Sequence, residues 1–239
     1  MGQIFAAQNE IGRLADEQVY RADVAHRLAS TGLETFEKVL LTLRHKDFVK
    51  TLYLDLVIDR KAVYELKTVA ALVPNHVSQL MTYLNLLDLP RGKLVNFRST
   101  PVESEYVNTP LTNDERCSFD VSSENYAGDP GFLKMVVDLL SDWGTGLSVS
   151  LYRQALVHML GGDDIVERMM PLVRQGHPLP SQRFHLVDEA TAFEITTFPK
   201  MEEGYATQLN RLLQLSPLKK LHWVNISHGQ LTFSTIPKP

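Results

Sequence analysis

Apolar residues recur at helical spacing over residues 8–29, at Ile11, Leu14, Ala15, Val19, Ala22 and Ala25, which predicts an amphipathic helix. Ser30-Thr31-Gly32 breaks it, and a short helical segment is expected at 33–42. The pattern then shortens to that of a β-hairpin: a strand around 50–58, a turn at Asp59-Arg60-Lys61 and a returning strand over 62–69. "VPNHVSQLMTYLNLLDL" puts Val77, Leu80, Met81, Leu84 and Leu87 on one face of a second helix, and "GKLVNF" reads as a third strand. Residues 100–130, rich in Ser, Thr, Asn, Pro and acids, show no clear period. They read as an acidic, polar connector, long enough to favour a domain boundary.

The second half repeats the first. "VYRADVAHRL" (19–28) lines up with "LYRQALVHML" (151–160), and "AVYELKTV" (62–69) with "TAFEITTF" (191–198). Glu65 precedes Gln79 by 14 residues and Glu194 precedes Gln208 by 14; Asn96 and Asn225 each follow 17 residues later. An ordered series at fixed spacing points to an internal duplication. The expected fold is α/β: two tandem units, each a small mixed sheet flanked by helices, at 1–99 and 131–239, forming a pseudo-dimer within one chain.

Composition limits what such units do. Apolar content of 44% and charge of 22% are those of a globular protein, and no apolar run approaches the ~20 residues that cross a bilayer. The N-terminus lacks a basic region before an apolar core, so no secretory signal is expected and the chain reads as cytoplasmic. Cys117 is the only cysteine, which excludes an intramolecular disulfide and a cysteine-based zinc site. Net charge is −4, but residues 1–99 carry 13 Lys and Arg against 11 Asp and Glu, with basic clusters at 44–50 and 91–98. Each cluster also suits an ordinary solvated surface.

The predicted hairpin, "LYLDLVIDRKAVYELKTV", carries charge where strands need Val and Leu. Alternation puts Tyr53, Asp55 and Val57 on one face and Leu54, Leu56 and Ile58 on the other; Glu65 and Lys67 lie side by side on the returning strand. Two converging carboxylates need a cation between them, and Mg²⁺ is commonly held by one or two carboxylates with water and phosphate completing its shell. A lysine beside such an ion can orient or help deprotonate water and stabilise charge on a phosphate. An edge strand with a solvated Glu–Lys pair remains the alternative, and Asp59 is a second candidate carboxylate, placed in the turn.

Asp-(x)n-Glu-x-Lys on a hairpin flanked by helices resembles the PD-(D/E)xK nuclease superfamily and, within it, the GxxExxY family. The matching residues are Glu17 and Tyr20 in "EQVY", Asp55 in "LYLDLV", Glu65 and Lys67 in "VYELKTV", His76, Gln79 and Tyr83 in "VPNHVSQLMTYL", and Asn96 in "LVNF". The family's glycine falls at Leu14. The resemblance implies a restriction-endonuclease-like fold and a Mg²⁺ (or Mn²⁺)-dependent nuclease acting on DNA or RNA. It makes Asp55 and Glu65 metal ligands, Lys67 the catalytic lysine, Glu17 an additional acid and Gln79 a supporting polar group. His76 reads as a helix-start or surface histidine, and Tyr20 and Tyr83 as packing residues.

The second copy lacks this set. It keeps Gly146 and Tyr152, but Val149 stands at the place of Glu17, His185 is expected near that of Asp55, and Thr196 replaces Lys67. Only Glu194 survives, so this copy reads as structural, a built-in partner surface. Lys219, Lys220 and Trp223 are candidates there for nucleic-acid contact, with core packing as the other reading. A non-catalytic nucleic-acid-binding or scaffold protein on the same fold is the rival function. No membrane contact is expected, and further homo-oligomerisation is left open.

Overall fold

The computed structural model describes residues 1–238, which divide into two units, residues 1–113 and 114–238. The first runs α1 (Gly2–Ile11), α2 (Glu17–Ala29), β1 (Thr35–His45), β2 (Phe48–Ile58), β3 (Ala62–Lys67), α3 (Pro74–Leu87), β4 (Arg91–Asn96) and β5 (Glu103–Asn108). Its strands form one sheet in the order β1-β2-β3-β4-β5, in which only β3 and β4 pair in parallel. The crossover between them is α3, as parallel pairing requires. Both faces of the sheet are covered. Ile4, Ala7, Tyr20, Val24 and Ala25 of α1 and α2 pack with Leu56, Ile58, Leu66 and Val95. Leu80, Tyr83 and Leu84 of α3 pack with Leu54, Val57, Val63 and Leu94. Gly92 lets α3 approach β4, because a Cβ there would stand 3.0 Å from Leu80, Leu84 and the Val63 carbonyl.

Three local expectations change. The periodicity over 8–29 belongs to two helices, separated at Gly12, whose φ of 86° suits glycine; the Tyr20 hydroxyl bonds back to the Gly12 carbonyl at 2.6 Å. The segment 33–42 is not helical: from Thr35 it belongs to an eleven-residue strand that pairs with β2 on either side of Lys38. Face alternation on β2 is also broken. Leu52 and Leu54 join Val57 in the α3 cluster, whereas Leu56 and Ile58 join the α2 cluster, so the inward set changes phase around Asp55. Opposite Asp55 in the β1–β2 register stands Lys38, left-handed at φ 47°.

Residues 100–130 are not a structureless connector. Glu103–Asn108 is β5, the outer strand of the first sheet, and Asp120–Asn125 is β6, the outer strand of the second. Their side chains are mostly exposed, so neither strand imposes an apolar period on the sequence. Between them α4 (Asn113–Cys117) carries Arg116, which is 1% exposed and donates to the carbonyls of Thr145 and Trp143 at 2.7 and 2.6 Å.

The second unit continues with α5 (Pro130–Trp143), α6 (Val149–Met159), α7 (Asp163–Val166), β7 (Glu167–Arg174), β8 (His177–Asp188), β9 (Thr191–Thr196), α8 (Glu203–Leu215), β10 (Lys220–Ser227) and β11 (Gln230–Pro237). Its sheet order is β6-β11-β10-β9-β8-β7. From β7 to β11 the pairing senses repeat those of β1 to β5, including one parallel pair, β9–β10, spanned by α8. Particular hydrogen bonds repeat as well. Tyr152 bonds the Gly144 carbonyl as Tyr20 bonds Gly12. Asn225 brackets the backbone N–H and carbonyl of Phe198 as Asn96 brackets those of Val69.

Candidate active site

The β2–β3 register, Leu56 against Tyr64 and Val57 against Val63, puts Asp55 across from Glu65 when carried one residue further. Both carboxylates are buried, at 2% and 1% exposure. Asp55 Oδ2 accepts the backbone N–H of Leu66 at 2.9 Å, and Oδ1 accepts the Lys38 ammonium at 2.6 Å, with Arg21 Nη1 3.8 Å away. Glu65 Oε1 accepts the Lys67 ammonium at 2.5 Å. Glu65 Oε2 is buried and meets no hydrogen-bond donor. A buried carboxylate oxygen left bare costs about 1–3 kcal/mol or more, so such an atom calls for an explanation.

Glu17, at the start of α2, stands between three cations: its oxygens lie 3.9 Å from Arg21 Nη1, 3.9 Å from Lys38 Nζ and 4.0 Å from Lys67 Nζ. Gln79 does not reach this cluster by any contact of its own. Its amide donates to the Tyr83 hydroxyl at 2.8 Å, and the Tyr83 phenol is raised by burial and, against the effect of Gln79, by the Glu65 and Asp55 charges. His76 serves the helix start, its Nδ1 accepting the Val73 N–H at 3.1 Å. Tyr20 is fully buried, stacked on Phe97 with ring centroids 4.3 Å apart. Asp59 lies in the hairpin turn and accepts the Glu34 N–H.

Burial sets the electrostatics. It pushes the Glu65 carboxyl up to about 8, with the Asp55 charge adding to the effect and Lys67 opposing it. Glu17 is raised for the same two leading reasons, burial and Asp55. Burial also pulls on Lys67, but Glu65, Glu17 and Asp55 outweigh it and its pKa rises, so the side chain is an ammonium and not a resting base.

Among the described residues no three His, Cys, Asp or Glu side chains are gathered as a metal-chelating group. The donor set nonetheless suits a hard divalent cation, which two carboxylates with water can hold. It contains carboxylate oxygens alone, one of them buried and bare. The structure brings together Asp55, Glu65, Lys67 and Glu17, which the sequence singles out, and adds Lys38 and Arg21, which it does not. Arg21 carried a signal, since it follows Glu17 by one helical turn. Lys38 carried none while 33–42 was read as helical.

The second unit keeps a glutamate, Glu194, at the place of Glu65 and differs at Asp55, Lys67 and Glu17. Its register sets His185 against Phe193, so Phe184, and not His185, lies across from Glu194. His185 takes the place of Leu56 and stands 3.6 Å from Glu167. Glu194 pairs with Arg153 at 3.2 Å, beside a cavity of about 260 Å³ lined also by Gln182, Arg183, His185 and Phe193. Thr196, at the place of Lys67, is sunk in a network with Asn225 and the Trp223 indole. Trp223 is therefore core and not a contact surface, whereas Lys220 is exposed.

Residues 1–108 match the model of a family described as the PD-(D/E)XK nuclease superfamily. Three chains of solved structure match as well. One, described as "Crystal structure of SSO0001", is 22% identical, with a TM-score of 0.31 over 46% of this chain and 63% of the other, so the chain spans less than two thirds of that neighbour. No curated protein matches.

Proposed function

We propose, from a first unit whose residues 1–108 match the nuclease superfamily, that this unit is a divalent-metal-dependent nuclease hydrolysing phosphodiester bonds of DNA or RNA. The observation that carries this reading is Glu65: a buried carboxylate opposite a second one, with one oxygen held by a lysine two residues on and the other left bare. Asp55 and Glu65 are the ligands and Mg²⁺ or Mn²⁺ the ion, which when bound supplies a Lewis acid for the phosphate and an acidified water. Lys67, still charged, stabilises negative charge building on the phosphate. Glu17 sets the field around Lys67, Lys38 and Arg21, and Gln79 acts at one remove by holding the Tyr83 hydroxyl.

The GxxExxY family is the group within the superfamily that the motif spacing favours. The repeated sheet senses and the repeated tyrosine and asparagine bonds support an origin of the second unit by duplication. Glu65→Gln and Lys67→Ala should each lower Mg²⁺-dependent cleavage by at least about 10²-fold, the scale of losing one charge-stabilising group at a reaction centre. Circular dichroism should show both variants folded. The reading is abandoned if wild-type protein cuts no single-stranded, double-stranded or branched substrate with either ion. Salt-sensitive binding without cleavage would instead identify a non-catalytic nucleic-acid binder.

A further inference from the structure

We infer that Lys38 is a built-in placeholder for the metal, whose ammonium competes with the divalent ion for Asp55 and so sets its affinity. This rests on Asp55 and Glu65 being the ligands. The first observation is position. Asp55 Oδ2 accepts the Leu66 N–H, and Oδ1 is the oxygen that side-chain cations approach. Lys38 Nζ sits on that oxygen at 2.6 Å and lies 3.9 Å from Glu17, while Lys67 is held on Glu65. An ammonium and a divalent ion on the same oxygen repel each other, so each weakens the other's hold on Asp55.

The second observation is the backbone. Glu37 and Val39 pair normally with Leu56 and Leu54, yet Lys38 between them is left-handed at φ 47°. The second unit supplies the comparison. Its corresponding pair is Arg168 against Phe184, a regular pair with no carboxylate, and that ladder's irregularity falls further on, between Met170 and Leu172. The distorted backbone thus accompanies the carboxylate, as expected for a strained residue kept at a functional site. The third observation is freedom to leave. The Lys38 side chain is 45% exposed, against 13% for Lys67 and 2% for Asp55, so it can swing out without unpacking the sheet. Metal entry is then an exchange of cations. The site stays compensated while empty, and the released ammonium is left at its mouth, where a phosphate would approach.

The test is titration calorimetry with Mn²⁺ alone. Lys38→Gly removes the ammonium and suits a left-handed backbone, and it should tighten Mn²⁺ binding about two- to fivefold, the scale of one partly exposed ion pair. Lys38→Arg should stay within about twofold of wild type by the same measure. In an Asp55→Asn background the gain should vanish. Lys38→Met replaces the glycine variant if circular dichroism shows that one unfolded. Unchanged or weaker binding in Lys38→Gly, with wild-type binding that Asp55→Asn abolishes, overturns the placeholder and leaves the metal reading standing. Failure of both wild type and Lys38→Gly to bind millimolar Mn²⁺ removes the metal reading itself.

Discussion

At the scale of single residues, burial decides which charges remain. Asp55 and Glu65 face each other across two strands, but Asp55 has a backbone donor and an ammonium where Glu65 has an ammonium and a bare oxygen. The same physics acts on His222 in the second unit. Burial first, and Lys220 second, hold its imidazole down to about 4, against the weaker pull of Asp188 and Asp129; its Nδ1 bonds the Thr235 hydroxyl. The unfolded chain titrates histidine near 6.5, so between 6.5 and 4 the unfolded state binds the extra proton. Stability from His222 is therefore complete above pH 6.5 and is lost as pH falls towards 4. His222→Gln should flatten that part of the pH profile, measured by denaturant unfolding at fixed salt; an unchanged slope would rule out His222 as its source. These residue-scale effects were legible unevenly. Asp55, Glu65 and Lys67 stood out because strand-forming sequence surrounded them. Lys38 did not, because its role depends on a strand partner 17 residues away.

At the scale of elements, two asparagines hold the ends of parallel strands in place. Asn96 accepts the Val69 and Arg98 N–H groups and donates to the Val69 carbonyl; Asn225 makes the same bracket on Phe198 and also takes the Thr196 hydroxyl. Asn96→Ala or Asn225→Ala leaves several of these groups unpaired and should cost about 1–3 kcal/mol by chemical denaturation. Loss of under about 0.5 kcal/mol, the range of ordinary surface substitutions, would show the brackets to be incidental. Strands β2, β3 and β4 and helix α3 were readable because they are rich in apolar residues and largely buried around the site. β1 was not: Phe36, Leu40 and Leu43 also fit a helical spacing, and only pairing along β2 decides the matter. β5 and β6 face solvent over most of their length, so their period is hidden by polar side chains.

At the scale of the whole molecule, the chain builds the same frame twice and furnishes one copy with the charged set. Phe184 and Thr196 stand where Asp55 and Lys67 do, and the strands around them keep their pairing. Glu194→Gln should therefore leave cleavage within about twofold of wild type, a surface-scale effect, in the assay that Glu65→Gln silences. A comparable loss from both would place the second unit in the chemistry. The repeated spacing and the exchange of Lys67 for Thr196 are legible in the sequence, but the place of Asp55 is taken by Phe184 and not by the expected His185. The units' true limits are not legible there, since the strands that complete each sheet lie in the polar segment between them.

On the proposed nuclease reading, a chain with one furnished copy has one blade. Two identical copies would offer two reacting centres per polypeptide and so a route to severing both strands of a duplex in a single encounter. With one, each encounter with a single chain yields one cut, and a supercoiled plasmid accepted as substrate by a monomer should pass through the nicked circle before any linear product accumulates.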